Sequence, residues 1–234
     1  MIAQRLATIG AVILLSLAAV SSAGGANECD GLMVCVPIAG PWVVVPASGG
    51  AARRHAEWQL SCPRGHVVGG LDARLSDRAI DVSFFGALGS PVTPGITTAR
   101  SVVFTAAHVG ARGGAPTFRP FIGCMPASGG GGRVPTSVTA FKPGKPTARR
   151  VKTARLRPGT SLVSQACTAR ERLVGASHAF AFGTQTPPSA SLVASVSGVQ
   201  TIRSDRVVVR VRGDAELAGV RAFVQVHAIC AVAR

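Results

Sequence analysis

Apolar and polar positions along this chain follow the short period of β-strands, and no stretch sustains a helical period. Short valine-rich runs are broken by glycine and proline, which is typical of strands separated by turns. Residues 206–212 partly alternate apolar and basic side chains, as a half-buried strand does. The pattern predicts an all-β sandwich or barrel, with strands at about 42–45, 57–62, 66–75, 81–88, 101–109, 116–124, 161–167, 173–182, 191–199, 206–212 and 220–232.

A cysteine-framed segment is written twice in the chain. The stretch that opens with Cys62 returns 105 residues later at Cys167. From Arg172 onward an offset of 106 aligns the two stretches, as if one residue were inserted after the second cysteine. That offset pairs Val68 with Val174, Gly69 with Gly175, Ile96 with Ile202, Arg100 with Arg206, Val102-Val103 with Val208-Val209, and Cys124 with Cys230.

The repeat predicts two β-sandwich-like units with pseudo-symmetry, at residues 41–126 and 146–234. Residues 27–40 form an N-terminal disulfide loop in this interpretation, and residues 127–145 a linker that contains four consecutive glycines. The high valine and alanine content favours two units that pack together rather than standing apart. The basic stretch before the second unit is then expected to lie across their seam.

Residues 1–26 have the features of a secretory signal peptide. Arg5 precedes an apolar run from Leu6 to Val20, and small residues offer cleavage after Ala23 or Ala26. The run is shorter than the roughly 20 residues of a membrane-spanning helix. We therefore expect a protein that is secreted or periplasmic, and not an integral membrane protein.

All six cysteines lie after this signal, an even number that predicts three disulfides in an exported chain. Six cysteines allow about 15 pairings. If the two units fold alike, Cys62 bonds Cys124 and Cys167 bonds Cys230, which leaves Cys29 for Cys35.

The chain is strongly basic, with 25 lysines and arginines against 10 acidic residues. Such a balance favours anionic surfaces such as envelope phosphates or acidic polysaccharide. Residues 142–157 contain positive residues and no acidic one, and are either a polyanion contact or a solvated linker and strand face. The scarcity of aromatic residues there argues against nucleic acid. The candidate binding residues are Lys142, Lys145, Arg149, Arg150, Lys152, Arg155 and Arg157.

No catalytic, metal or cofactor motif stands out. Thr105 to His108 resembles the histidine motif of trypsin-like serine proteases, but no serine follows Asp205 or Asp214 to complete the triad in that family's order. The histidines lack the spacing of paired metal ligands, and the cysteines lack that of structural zinc. Three aspartates, at positions 72, 77 and 81, are either solvated turn residues or a loose calcium set.

The motif residues resemble those of secreted bacterial proteins without a characterised activity, which open each unit with Cys-Pro and a Gly-Gly pair and close it with an Ala-x-Cys strand. The second unit lacks the proline and the first glycine. The resemblance implies an exported all-β protein and no particular activity. The matching residues are Cys62, Pro63, Gly65, Val68, Gly69, Gly70 and Cys124, then Cys167, Val174, Gly175 and Ala228 to Ala231.

Three functions remain open from the sequence. The first is a non-catalytic binding protein of the envelope or extracellular space, for an anionic glycan or another polyanion. The second is a structural or adhesion component that acts by self-association. The third is a hydrolase that uses His178 or His66 with nearby carboxylates.

Overall fold

The fold is all-β, as the pattern predicts. The computed structural model describes residues 27–47, 55–85, 100–110, 116–127 and 147–232. The signal segment, Lys142, Lys145 and nearly all of the glycine-rich linker lie outside these residues. The strands are β1 (Val36–Ala39), β2 (Trp42–Val44), β3 (His55–Ser61), β4 (His66–Leu75), β5 (Ile80–Phe85), β6 (Ser101–His108), β7 (Thr117–Pro126), β8 (Thr147–Leu156), β9 (Gly159–Ala166), β10 (Glu171–Phe182), β11 (Val196–Ile202), β12 (Arg206–Gly213) and β13 (Ala222–Val232).

The strands form one long antiparallel sheet and two small ones. In the long sheet β7 pairs with β4 and, through other registers, with β1 and β2. From β2 the sheet continues through β10 and β13 to β8. The small sheets have the orders β3-β6-β5 and β11-β12-β9. The short strand β2 therefore joins the two halves of the molecule into one sheet.

The two small sheets pack on opposite faces of the long sheet. Ala181 and Phe182 are neighbours on β10, yet Ala181 belongs to the core beneath β3, β5 and β6, and Phe182 to the core beneath β9, β11 and β12. Successive side chains of a strand point to opposite faces. The first core is built around Trp58, Phe104 and Phe118, and the second consists chiefly of valines. Trp58 packs in the same cluster as a disulfide cysteine, Cys62.

The strand order is the same in the two halves. In the first half β7 pairs with β1 and β4, and β6 with β3 and β5. In the second half β13 pairs with β8 and β10, and β12 with β9 and β11. The unit boundaries drawn from the repeat, and a superposition of the two units by pseudo-symmetry, stay predictions.

The strand registers place the one-residue insertion of the second unit later in the chain than the position just after Cys167 that the repeat predicts. Both β4 and β10 contain a bulge, and after it Gly70 lies opposite Gly123 and Gly175 opposite Ile229. Gly70, rather than Gly69, is therefore the counterpart of Gly175. In the small sheets Trp58 lies opposite Phe104 and Val163 opposite Val209, which keeps the offset at 105. At this offset Val102 corresponds to Val207, so the predicted pairing of Val102 with Val208 is wrong. A shift of one residue would exchange the two faces of the strand.

The disulfides Cys29–Cys35, Cys62–Cys124 and Cys167–Cys230 are present, which confirms the three predicted pairings. The N-terminal loop lies close to the long sheet at two glycines. A Cβ atom on Gly70 or Gly123 would fall about 2 Å from the carbonyl oxygen of Glu28, so only glycine fits at either position.

One predicted strand is wrong in part. Residues 191–199 were expected to be extended, but Ala190–Ala194 form a short helix and the strand begins at Val196. Ser189 caps this helix by accepting a hydrogen bond from the Leu192 amide, the usual role of serine at this position. Capping chemistry outweighs the apolar pattern here. Within the described residues, no helix is both long and apolar enough to cross a bilayer.

Candidate functional site

The predicted basic stretch is divided by the structure into residues that are engaged and residues that are exposed. The guanidinium of Arg149 pairs with Glu57, and that of Arg150 forms two hydrogen bonds with Glu171. Lys152, Arg155 and Arg157 are exposed. The stretch therefore offers fewer free charges than its composition indicates.

Arg149 lies in a polar network between the two halves. Its Nη1 atom is 2.6 Å from Glu57 Oε2, and its side chain is 22% exposed against 8% for Glu57. The Ser177 hydroxyl donates to the same carboxylate. Burial raises the pKa of Glu57, but hydrogen bonds from Arg149 and Ser177, together with the charge of Arg149, outweigh burial and lower the pKa. Arg149 is thus one residue of the basic stretch that lies between the two halves, and Glu57 pairs with its charge there.

His227 completes this network as a neutral ring. Its Nδ1 atom is 2.9 Å from Arg149 Nη1, and its Nε2 atom is 2.8 Å from Gln225 Oε1. A guanidinium only donates hydrogen bonds, so Nδ1 accepts and Nε2 carries the proton. Burial, and then the charge of Arg149, lower the pKa of His227 to about 4. The ring therefore stays uncharged at neutral pH.

Gln225 caps the free edge of β3. Its side-chain oxygen accepts from the Gln59 backbone amide, and its Nε2 donates to the Gln59 carbonyl oxygen over 3.2 Å. A second donation from Nε2 reaches Thr153 Oγ1 at 3.0 Å. Sheet edges leave backbone groups unpaired, and one glutamine from the opposite half satisfies two of them here. The network is a structural junction between the halves, with Glu57, Gln225 and His227 buried in it.

Arg150 is held in a comparable way. Hydrogen bonds from Arg150, and then from the Thr168 backbone, lower the pKa of Glu171 to about 2. Glu171 lies next to the Cys167–Cys230 disulfide, and the sulfur atoms of that bond are not available as thiolate ligands. The pair therefore supports the start of β10.

The outer face of the β11-β12-β9 sheet carries a different kind of surface. The inward side chains of β12 are buried, whereas the outward positions 206, 210 and 212 are exposed arginines. The register places Arg210 between Leu162 and Val199, and Arg212 between Thr160 and Ser197. Arginines two residues apart on a strand project from the same face about 7 Å apart. The face therefore presents positive charge in a row along its central strand.

Acidic partners for these charges are few. Asp205 is paired with Arg206 at 2.9 Å; hydrogen bonds from Arg206, followed by its charge, lower the pKa of Asp205, with a smaller effect from Arg203. Within the described parts of the chain, Arg210 and Arg212 have no hydrogen-bond, ion-pair or cation–π partner. Two guanidinium groups thus remain free to bind an anion.

A groove of about 310 Å³ crosses this face, lined by Leu162, Val199, Thr201, Arg203, Val208 and Arg210. At one end of the sheet the backbone of Arg157 approaches Gly213, next to Arg212. Arg157 is one of the predicted binding residues, and its backbone lies next to this sheet. We call the outer surface of β9, β11 and β12 the basic face.

The histidines of the hydrolase hypothesis have other surroundings. His178 Nδ1 is 2.9 Å from Gln200 Oε1, and His66 Nδ1 is 3.3 Å from the Arg64 carbonyl oxygen. His108, from the protease-like motif, is 3% exposed and lies 3.4 Å from Asp77 without hydrogen-bond alignment. Two aspartates of the calcium hypothesis are engaged by different backbone groups. Asp72 accepts hydrogen bonds from the backbone amides of Asn27 and Ala73, whereas Asp77 accepts one from the amide of Ala79.

No family model, curated protein or solved structure matches the chain. The central strand of the basic face is visible in the sequence as the alternating residues 206–212, but that pattern indicates only a half-buried strand. The arrangement of Leu162 and Val199 around Arg210 depends on strand registers that the sequence did not supply.

Proposed function

We propose that this protein is an exported, non-catalytic binding protein of the cell envelope or extracellular space, and that it holds an anionic partner on its basic face. One observation carries the proposal: Arg210 and Arg212 project from the central strand of an exposed sheet, and no carboxylate of the described residues pairs with either of them. Guanidinium groups bind phosphate, sulfate and carboxylate groups through paired hydrogen bonds. An anionic glycan and other polyanions both offer such groups.

Export is supported by two independent features. Three disulfides indicate an oxidising compartment outside the cytoplasm, and the first 26 residues have the pattern of a cleaved signal. We infer a secreted or periplasmic protein. In that setting the positive excess of the mature chain, 24 minus 10 after Arg5 is removed, would attract anionic surfaces.

The non-catalytic part of the proposal is supported by how the polar groups are arranged. In the polar cluster at the seam, Glu57 and His227 are buried and are hydrogen-bonded to other members of the cluster. Catalysis requires groups that reach a substrate in a concave site. The basic face instead offers charge and shape for binding.

The test compares two double variants that remove the same charge. We expect Arg210→Gln/Arg212→Gln to elute from heparin at clearly lower salt than the wild-type protein. For a partner with the charge density of DNA, the slope of log affinity against log salt should fall by about two. The matched control, Lys152→Gln/Arg155→Gln, removes two exposed charges of the stretch that the sequence predicted.

The control should elute close to the wild type. Equal losses in both variants would mean that net charge alone drives retention, and would refute a site on the basic face. If only the control variant loses retention on heparin, the binding site lies on β8 and not on the basic face. Circular dichroism and thermal unfolding of each variant establish that both remain folded.

A further inference from the structure

The basic face carries aliphatic side chains that a hydrophilic polyanion does not require. Leu162 is 66% exposed and Val199 is 68% exposed. They lie on either side of Arg210 in register, on β9 and β11. Single exposed aliphatic residues are ordinary, but these two lie next to each other across one arginine.

The aliphatic groups and charges alternate within one surface. Val208 and Thr201 lie opposite each other and continue the groove from Val199 toward Arg203. The aliphatic stem of an arginine can lie along apolar surface while its guanidinium reaches a polar layer. The groove is therefore apolar at its centre and cationic at Arg203 and Arg210.

This combination matches the boundary of an anionic membrane more closely than it matches a sugar chain. Lipid headgroups present phosphates at the surface and acyl chains directly beneath it, and peripheral proteins bind there through basic residues combined with leucine and similar side chains. None of the described residues that line the groove is aromatic, whereas polar ligands with flat apolar faces are commonly held by aromatic side chains. The chemistry of the face favours phospholipid.

We propose that the basic face docks on the surface of an anionic phospholipid membrane. Arg203, Arg210 and Arg212 pair with headgroup phosphates, and Leu162 and Val199 enter the boundary between headgroups and acyl chains. This inference rests on the proposed function, because it identifies the anionic partner of the same face. It differs from binding to a soluble polyanion in requiring the aliphatic residues.

The experiment measures co-sedimentation of the mature protein with vesicles. One set of vesicles contains phosphatidylcholine alone, and the other contains phosphatidylcholine mixed with phosphatidylglycerol. We expect binding to the anionic vesicles only, and a decrease of about fivefold for each arginine replaced by glutamine. Leu162→Ser/Val199→Ser should weaken vesicle binding by about tenfold or more, while its retention on heparin stays that of the wild type.

Val174→Ser is the matched control, because Val174 is an exposed valine, 49% accessible, in the bulge of β10. It should bind vesicles like the wild type. Unchanged vesicle binding by Leu162→Ser/Val199→Ser would overturn the membrane proposal, as would a wild type that binds heparin but neither kind of vesicle. A wild type that binds neither heparin nor vesicles would overturn the proposed function together with this inference.

Discussion

The junction between the two halves should make the protein acid-sensitive through one residue, His227. The pKa of this ring is lowered from 6.5 to about 4 in the folded state. Below pH 6.5 His227 becomes protonated in the unfolded chain, whereas in the native state it stays neutral until about pH 4. Stability is therefore complete above pH 6.5 and is lost as the pH falls through this window. At about 1.4 kcal/mol for each pH unit, the loss amounts to about 3 kcal/mol.

The neighbouring charges determine which part of the pH profile belongs to His227. Arg149 on β8 opposes protonation of the ring, and Glu57 on β3 favours it. Because the pKa of Glu57 is lowered in the fold, its own contribution to stability is lost only when the pH falls below 4.5, the ordinary pKa of a glutamate. The loss between pH 6.5 and 4.5 therefore reports mainly on the histidine.

The assay is urea unfolding of the wild type and His227→Gln at several pH values between 7.5 and 4.5. Glutamine keeps hydrogen-bonding capacity but does not titrate, so the variant should lose most of the pH dependence in this range, whatever its stability at pH 7.5. His55→Gln, at an exposed position on β3, serves as the control and should follow the wild type. An equally steep decline in His227→Gln would refute the reasoning.

Three further changes have expected outcomes. Glu57→Leu, which introduces the side chain found at the corresponding position 162, should lower the free energy of unfolding by about 3–5 kcal/mol, because Arg149 loses its buried partner; chemical denaturation would measure it, and a change below about 1 kcal/mol would contradict the role of the pair. Removing the Cys167–Cys230 bond, which spans 63 residues, should cost about 4 kcal/mol, and a thermal midpoint unchanged in Cys167→Ser/Cys230→Ser would oppose this. Gly123→Ala should release the N-terminal loop, since its Cβ would meet the Glu28 carbonyl, and hydrogen exchange of residues 27–35 as slow as in the wild type would count against it.

The sequence predicted the features that depend on local pattern and on repetition. The alternation in residues 206–212, the turn residues and the duplicated cysteines led to an all-β chain with three correct disulfides. The offset between the repeats was misplaced in the small sheets, because Val102-Val103 and Val208-Val209 are equally apolar at either register. The registers of β3 and β9 settle the choice: Trp58 lies opposite Phe104, and Val163 opposite Val209.

The junction could not be predicted, because its members come from distant segments. Glu57, Arg149 and His227 meet only because β2 extends the long sheet and brings β3 over the second half. Their counterparts in the other half do not repeat the chemistry. Leu162 takes the place of Glu57 and Phe121 that of His227, so the repeated sequence gives no sign that two of its positions form a polar contact.

The basic face could not be predicted either, because it depends on which distant strands and side chains pair with each other. A run of basic residues at 142–157 is visible in the sequence, whereas the basic face collects residues from three strands. Arg149 and Arg150 are engaged by carboxylates that lie 92 and 21 residues away along the chain. Pairing of this kind decides which arginines remain free, and composition alone does not report it.

Hydrogen–deuterium exchange of the mature protein, with and without a bound polyanion such as heparin, tests the central claim most directly. Binding on the basic face predicts slower exchange at residues 159–166 and 196–213, with residues 147–156 of β8 and the first half of the chain unchanged. Protection confined to residues 147–156, or spread evenly over both halves, would contradict a binding site on the outer face of β9, β11 and β12.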